Sequence, residues 1–487
     1  MKPCDNTYIR NQIPINLLYI LFAIGLGGIG VALIFNNLGL GITIAAIPLI
    51  CILSIYILQI PTVLLFVIFT VNYFIMGITR YVNIEGISVL MDILYALAII
   101  LIFMHSTLLH DIEWKRAINI LTISSFIWVV YCILELVNPS AVFQGWLLSR
   151  NLIINGLIIS VLTSLLCTRY KTIQALLIIF SLFTIIAVIK AIIQKFIGFD
   201  LYERIWLIDD TTHLLSTGTR YFSFFTDASN FGANMGCAGI LFGISAFYIR
   251  TKWLKIYYLI VSILAIYAMF LSGTRGAMIV PIAGLALFIL ISKNAKAIIT
   301  SGSTLVFIYI FFAFTTIGQG NTMIRRMRTA FTPTKDASFN VRKENQRKLG
   351  TYLKHKPFGE GLGLSGDGLG WKISRRFTTS IPTDSWYVKI WVETGVVGLV
   401  IYLGMIFISI GRGAWILAYK IRDPELKGQL TGWLCGIFGM FISAYGNSFW
   451  GQFPTMIIAF MGLTIVLNAK YFDNEINCSS STINTSK

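Results

Sequence analysis

The chain has 487 residues, of which 56% are hydrophobic and only 12% charged, with a formal net charge of +17. Soluble domains carry about 25% charged residues, so a water-soluble globule is excluded, and so is a disordered chain, which needs low hydrophobicity. The composition is that of an all-α polytopic membrane protein.

Apolar runs of about 17–25 residues with few charges read as membrane helices. They lie near 14–34, 38–58, 62–79, 89–109, 117–137, 151–167 and 172–193, then near 230–249, 256–272, 277–292, 297–314, 386–410, 431–449 and 454–469. Several are short or closely joined, so 12–14 transmembrane helices are expected. The first run is too long and too embedded in the series to be a cleaved signal peptide, and is expected as a retained helix.

Orientation follows from Lys and Arg, which cytoplasmic loops retain. With the N-terminus inside, 17 basic residues fall in short cytoplasmic segments, from Lys2 and Arg10 to Lys470 and Lys487. The short outer loops then hold only Arg80, Arg150 and Arg275. Both termini are therefore expected in the cytoplasm. Two outer segments are long, near 194–229 and 315–383, and long loops escape the charge rule. The second holds 13 basic residues, among them Arg325, Arg326, Arg328, Arg342 and Arg347. A loop of that length without a role is uncommon. The chain divides accordingly into N-terminal helices (1–193), helices with the first outer loop (194–314), the large, partly helical outer loop (315–383), and C-terminal helices with a cytoplasmic tail (384–487).

Cysteine carries little information: five of seven fall in apolar runs, and no CxxC pair suggests a disulfide framework or a zinc site. No internal repeat is visible, which weakens a transporter built from duplicated halves. The ionisable residues Asp92, Glu135 and Lys190, within or beside apolar runs, are scattered and could simply pair.

Four outer segments could carry chemistry. In 219–232, Arg220 follows an acidic stretch and precedes Tyr221, Phe222, Phe224 and Phe225; it is either an arginine snorkelling from an aromatic belt or an anion ligand. In the turn 271–278, Gly273 and Gly276 flank Arg275. Arginine presents a fork that matches phosphate oxygens, although a purely structural turn arginine is an equal reading. Residues 341–355 have helical spacing, stopped by Pro357 and Gly359, and present Arg342 and Arg347; the glycines of 359–370 read as a flexible turn region. Finally, Asp384 precedes an apolar helix as a good N-cap, and Lys389 and Glu393 lie four apart on one face.

Taken in this order, these segments resemble the bacterial O-antigen ligase and O-antigen polymerase superfamily. The matching positions are Arg220, Arg275 in its Ser-Gly-Thr-Arg-Gly-Ala turn, Arg342, and Pro357 with Gly361. Ser385, Tyr387, Glu393, Gly395 and Gly398 then match the closing motif. The resemblance is close over about 215–400. It departs at Asp384, where ligases of this family carry a histidine as the proposed base; His355, in the same outer loop, is a second candidate.

The resemblance implies a metal-independent, inverting glycosyltransferase of the inner membrane with a periplasmic active site, acting in surface polysaccharide assembly without a cofactor. Its donor would be an oligosaccharide on undecaprenyl pyrophosphate, and its acceptor a glycan or lipid A-core hydroxyl. The implied partners are these substrates, membrane lipid and other polysaccharide-assembly proteins, with no nucleic acid. Arg220, Arg275 and Arg342 would bind the pyrophosphate, and Asp384 would orient or deprotonate the acceptor. The Asp384 departure favours a polymerase over a ligase attaching glycan to lipid A-core or protein. A lipid-linked sugar flippase is the competing class. It predicts ionisable residues along a path through the helices.

Overall fold

The computed structural model describes Gly27 and residues 57–81, 86, 89–209, 211–215, 218–320, 322–331, 337–366 and 370–485. By contacts the chain divides into Met1–Leu64 and Leu65–Lys487, and everything below concerns the second unit. The runs expected near 14–34 and 38–58 lie almost wholly outside the described residues.

Each apolar run beyond residue 58 corresponds to a helix. Eight described helices are long and apolar enough to cross a membrane, or nine if the bent pair Thr455–Leu467 and Ala469–Cys478 is one span. Thr62–Ile78 and Arg275–Ile291 are shorter apolar helices. The expected helix near 431–449 is displaced: it runs Pro424–Ser443, and 444–454 is a loop at its outer end. Most of Pro424–Ser443 is buried, so protein rather than lipid surrounds it.

The core forms where Ala228–Tyr248 packs against Lys252–Leu271 and Pro424–Ser443, with Ile279–Ile291 alongside. Small residues allow this approach in a membrane, where packing rather than hydrophobicity drives association. A Cβ on Gly432 would meet the Leu241 carbonyl, and one on Gly439 the Val280 carbonyl. Ala295–Phe314 stands at the margin, with only 11% of its apolar window buried.

Loops that the charge bias assigns to one side contact each other. On the outer side, Arg80 donates to Ser223 O (3.0 Å), Arg376 to Ser140 O (2.6 Å) and Arg342 to Gly446 O (2.8 Å). On the other, Arg116 donates to Thr168 O (2.8 Å), Arg250 pairs with Asp423 (2.7 Å), and Lys293 lies over Tyr419. The ionisable groups expected to pair largely do so: Asp92 with Arg150 (2.8 Å), and Lys190 with Asp200 (2.9 Å) and Glu203 (3.0 Å). They form local pairs rather than a path.

The aromatic residues after Arg220 are not an exposed belt. Phe222 and Phe225 are fully buried, and the Arg80 guanidinium sits 4.5 Å from the Trp206 ring centre and 4.4 Å from that of Phe222. Nearby, burial pushes the Asp200 carboxyl up, but hydrogen bonds from Tyr81, the Glu203 N–H and Lys190 outweigh it and hold the group at about 2. A depressed carboxyl stabilises the fold above its unfolded pKa and stops doing so as pH falls through the folded value. Acidification from pH 5 to 2 should therefore lower amide protection factors, corrected for intrinsic exchange, across 200–209, and Asp200→Asn should show that low protection already at pH 7.

The Trp386–Tyr419 helix is broken at Gly395, which has φ 67° and ψ −171°. The break frees carbonyls that the outer loop takes up: Glu360 N–H donates to Val392 O (2.9 Å) and Gly361 N–H to Glu393 O (3.0 Å). Tyr131 Oη donates to Thr394 O (2.7 Å), and Val397 N–H to Pro357 O (3.3 Å). Residues 359–366, expected as a flexible turn, are thus pinned to the helix. Gly395→Ala should cost about 1–3 kcal/mol from backbone conformation alone, and more because its Cβ would fall on the Pro357 carbonyl. Thermal unfolding in detergent should show this loss, whereas Gly404→Ala, with nothing within 4 Å, should be neutral or stabilising.

Candidate active site

At one end of the bundle a cavity of about 850 Å³ is lined by Arg220, Arg342, Asp384 and Lys389, together with His213, Asp227, Ser229, Asn447 and Gln452. Arg220 meets Arg342 and Asp384, which lie 122 and 164 positions further on, because three segments converge.

The first segment leads into Ala228–Tyr248. Asp227 caps that helix, accepting from Ser229 N–H (2.6 Å) and Asn230 N–H (3.0 Å), which satisfies donors that a helix start leaves open. Arg220 donates through Nη2 to Thr274 Oγ1 (2.8 Å) and Ser229 Oγ (3.1 Å), and through Nη1 to Thr212 O (3.4 Å). Both glycines of the Ser272–Ala277 turn serve this packing. Gly273, at φ 58°, lies against the Arg220 side chain, and a Cβ on Gly276 would collide with Asn447.

The second segment is the Ala337–Leu353 helix, which starts and ends slightly before the expected 341–355. Leu349 and Leu353 pack on Val388 and Val392, and this docking turns Arg342 toward the cavity. Its Nε lies 3.9 Å from Asp384 Oδ2. Arg347 instead pairs with Glu344 (2.9 Å) at the exposed surface.

The third segment opens the Trp386–Tyr419 helix. Ser385, not Asp384, is its N-cap residue, and Ser385 makes no side-chain capping bond. Asp384 precedes it at φ 53°, a left-handed conformation that aspartate tolerates better than most residues. Asp384 lines the cavity. The expected Lys389–Glu393 pair does not form. Glu393 is fully buried, with Oε1 accepting from Ser365 Oγ (2.6 Å), while Lys389 lines the cavity with Nζ 5.5 Å from the Trp386 ring centre.

Arg220, Arg342 and Asp384 are therefore brought together. Arg275 is not among the residues lining the cavity; it donates through Nη1 to Thr329 Oγ1 (3.2 Å). His355 is exposed in a turn after the Ala337–Leu353 helix and does not line it either. Four residues of the cavity do not stand out in the sequence. Lys389 was assigned to an ion pair. His213 was one histidine in a loop: its Nε2 accepts from Ala228 N–H (3.2 Å), which leaves the ring proton on Nδ1, facing Thr212 Oγ1 (3.3 Å). Asn447 and Gln452 were read as helix or its edge, although the polar interruption at 445–452 was the available signal.

The wall behind the cavity depends on a buried carboxylate. Glu360 is 3% exposed and accepts from Lys356 Nζ (2.6 Å) and Arg376 Nη1 (2.9 Å). Burial works against the Lys356 ammonium, but hydrogen bonds to Glu360 and Tyr352 outweigh it and raise its pKa. Removing one partner of a buried ion pair costs up to about 3–5 kcal/mol. Because Lys356 remains, Arg376→Ala should cost roughly 2 kcal/mol, seen as a lower unfolding temperature and faster amide exchange across 359–366.

A family model described as O-antigen ligase matches residues 260–403. No curated protein matches the chain. The matched span contains Arg275, Arg342 and Asp384 and excludes Arg220. It supports glycan transfer of the ligase and polymerase type in surface polysaccharide assembly, with a lipid-linked glycan donor and a glycan acceptor. The resemblance carried by the sequence motifs and the family model agree: over residues 260–403 this membrane protein matches the O-antigen ligase domain.

Proposed function

We propose that the protein is a polymerase that transfers a glycan from undecaprenyl pyrophosphate to the terminal sugar hydroxyl of another lipid-linked glycan, at the periplasmic face of the inner membrane. The observation that carries this reading is the convergence of three cations, Arg220, Arg342 and Lys389, with the carboxylate of Asp384 in a single outer cavity.

The acceptor oxygen attacks the anomeric carbon from the face opposite the pyrophosphate, so the configuration inverts. The bond from that carbon to the pyrophosphate oxygen breaks, and the leaving group keeps the electron pair. Cations fixed in advance stabilise that developing charge. Arg220 is well suited because Thr274 and Ser229 already hold its guanidinium. The hydroxyl proton passes to Asp384. In the resting protein Arg342 stands 3.9 Å from Asp384. An arriving pyrophosphate competes for Arg342 and relieves that hold. Orientation rests on the charge bias of the short loops, whose basic residues fall mostly on the side opposite the cavity. Arg275 stands outside this grip and supports the loop through Thr329.

The alternative is a ligase, favoured by the printed description of the matching family. Incubating purified protein with lipid-linked oligosaccharide alone separates the two. Chain growth establishes the polymerase, while transfer only after addition of lipid A-core overturns it. Arg220→Ala and Arg342→Ala should each lower turnover by roughly 10²–10³, and Asp384→Asn by roughly 10²–10⁴, with the protein still in the membrane. Arg275→Ala should retain measurable turnover; a loss equal to that of Arg220→Ala would return it to the pyrophosphate.

A further inference from the structure

A second cavity, of about 490 Å³, lies between the helices Ala228–Tyr248, Lys252–Leu271, Ile279–Ile291 and Ala295–Phe314. Its walls are apolar, with Ile266, Pro281, Phe311 and Phe312 among them, and it shares no residue with the cavity of Arg220 and Asp384. The Ala295–Phe314 helix, which closes one side, is otherwise scarcely buried.

The outer mouth is basic. The Arg328 guanidinium carbon lies 5.4 Å from the Phe311 ring centre, and Phe331 stacks on Phe312 with centres 5.7 Å apart. These contacts seat the Thr322–Arg328 helix over the groove. Arg328 Nη2 donates to Ile317 O (2.6 Å) and Thr315 Oγ1 (3.2 Å), and Arg325 is exposed. Neither forms an ion pair with a described residue. Arg275 approaches the same place through Thr329 Oγ1.

We infer that this groove binds an anionic membrane phospholipid, its phosphate held by Arg325 and Arg328 and one acyl chain lying between the helices. Basic pockets between membrane helices on the cytoplasmic side take anionic lipid headgroups, and the same pairing of charge and apolar wall is present at this mouth. The charge demands an anion and the apolar walls demand a chain, and only a lipid supplies both. The Ser272–Met278 turn separates the groove from the proposed catalytic cavity. Thr274 faces Arg220, and Arg275 faces Thr329. The occupant is therefore a lipid distinct from the glycan donor.

The test is native mass spectrometry of the purified full chain, titrated with dioleoylphosphatidylglycerol or dioleoylphosphatidylcholine. One tightly retained phosphatidylglycerol is expected, in preference to phosphatidylcholine. The double variant Arg325→Gln/Arg328→Gln should lower that retention roughly tenfold or more, and Ser301→Phe, which fills the groove, should lower uptake of both lipids. Equal retention of the two lipids by the unaltered protein overturns the inference without reference to any variant. So does unchanged retention in the double variant, or displacement of phosphatidylglycerol by equimolar undecaprenyl pyrophosphate.

Discussion

A backbone carbonyl at the edge of a bilayer must find a donor within the protein, because lipid supplies none. The break at Gly395 exposes three such carbonyls in succession, those of Val392, Glu393 and Thr394. The amides of Glu360 and Gly361 and the hydroxyl of Tyr131 answer them. This requirement joins the outer loop to the C-terminal half of the chain. Once residues 357–361 are laid along the broken helix, the Ala337–Leu353 helix just before them has little choice but to dock on Val388 and Val392. Arg342 and Asp384 then face each other across that dock. The helix break is thus a structural instruction for assembling the cavity, and the surrounding glycines exist to let two backbones touch.

The cavity itself is unfavourable on its own terms. Arg220, Arg342 and Lys389 repel one another, and only Asp384 and Asp227 stand against them. Asp227 is also committed to capping its helix. Such an arrangement loses stability through self-repulsion and gains from any polyanion that enters. Neighbouring arginines without a catalytic part are treated differently. Arg376 is paired with buried Glu360, and Arg80 is held between aromatic rings and carbonyl oxygens.

Local features were legible in the sequence. The apolar runs near 62–79 and 256–272 became Thr62–Ile78 and Lys252–Leu271, because bilayer thickness and helical rise set their length together. Features decided by distant partners were not legible. Asp384 has the right chemistry for a cap, but Ser385 takes that position. Lys389 and Glu393 have the right spacing to pair, but Ser365 claims the glutamate and the cavity claims the lysine. Arg275 and Thr274 are adjacent, and only the packed turn reveals that Thr274 serves Arg220 while Arg275 turns to Thr329.

The aspartate at 384 acquires a physical rationale in this setting. A histidine there, 3.9 Å from a guanidinium, would add a fourth group able to carry positive charge to a cavity already crowded with them. An aspartate instead neutralises Arg342 while the site is empty. It then competes with an incoming anion for the same guanidinium, so donor binding and release of the base become one event. A carboxylate is intrinsically the weaker base, with a reference pKa of about 3.9 against about 6.5 for histidine. On the proposed reading, the aspartate exchanges base strength for a carboxylate that Arg342 holds until the donor arrives.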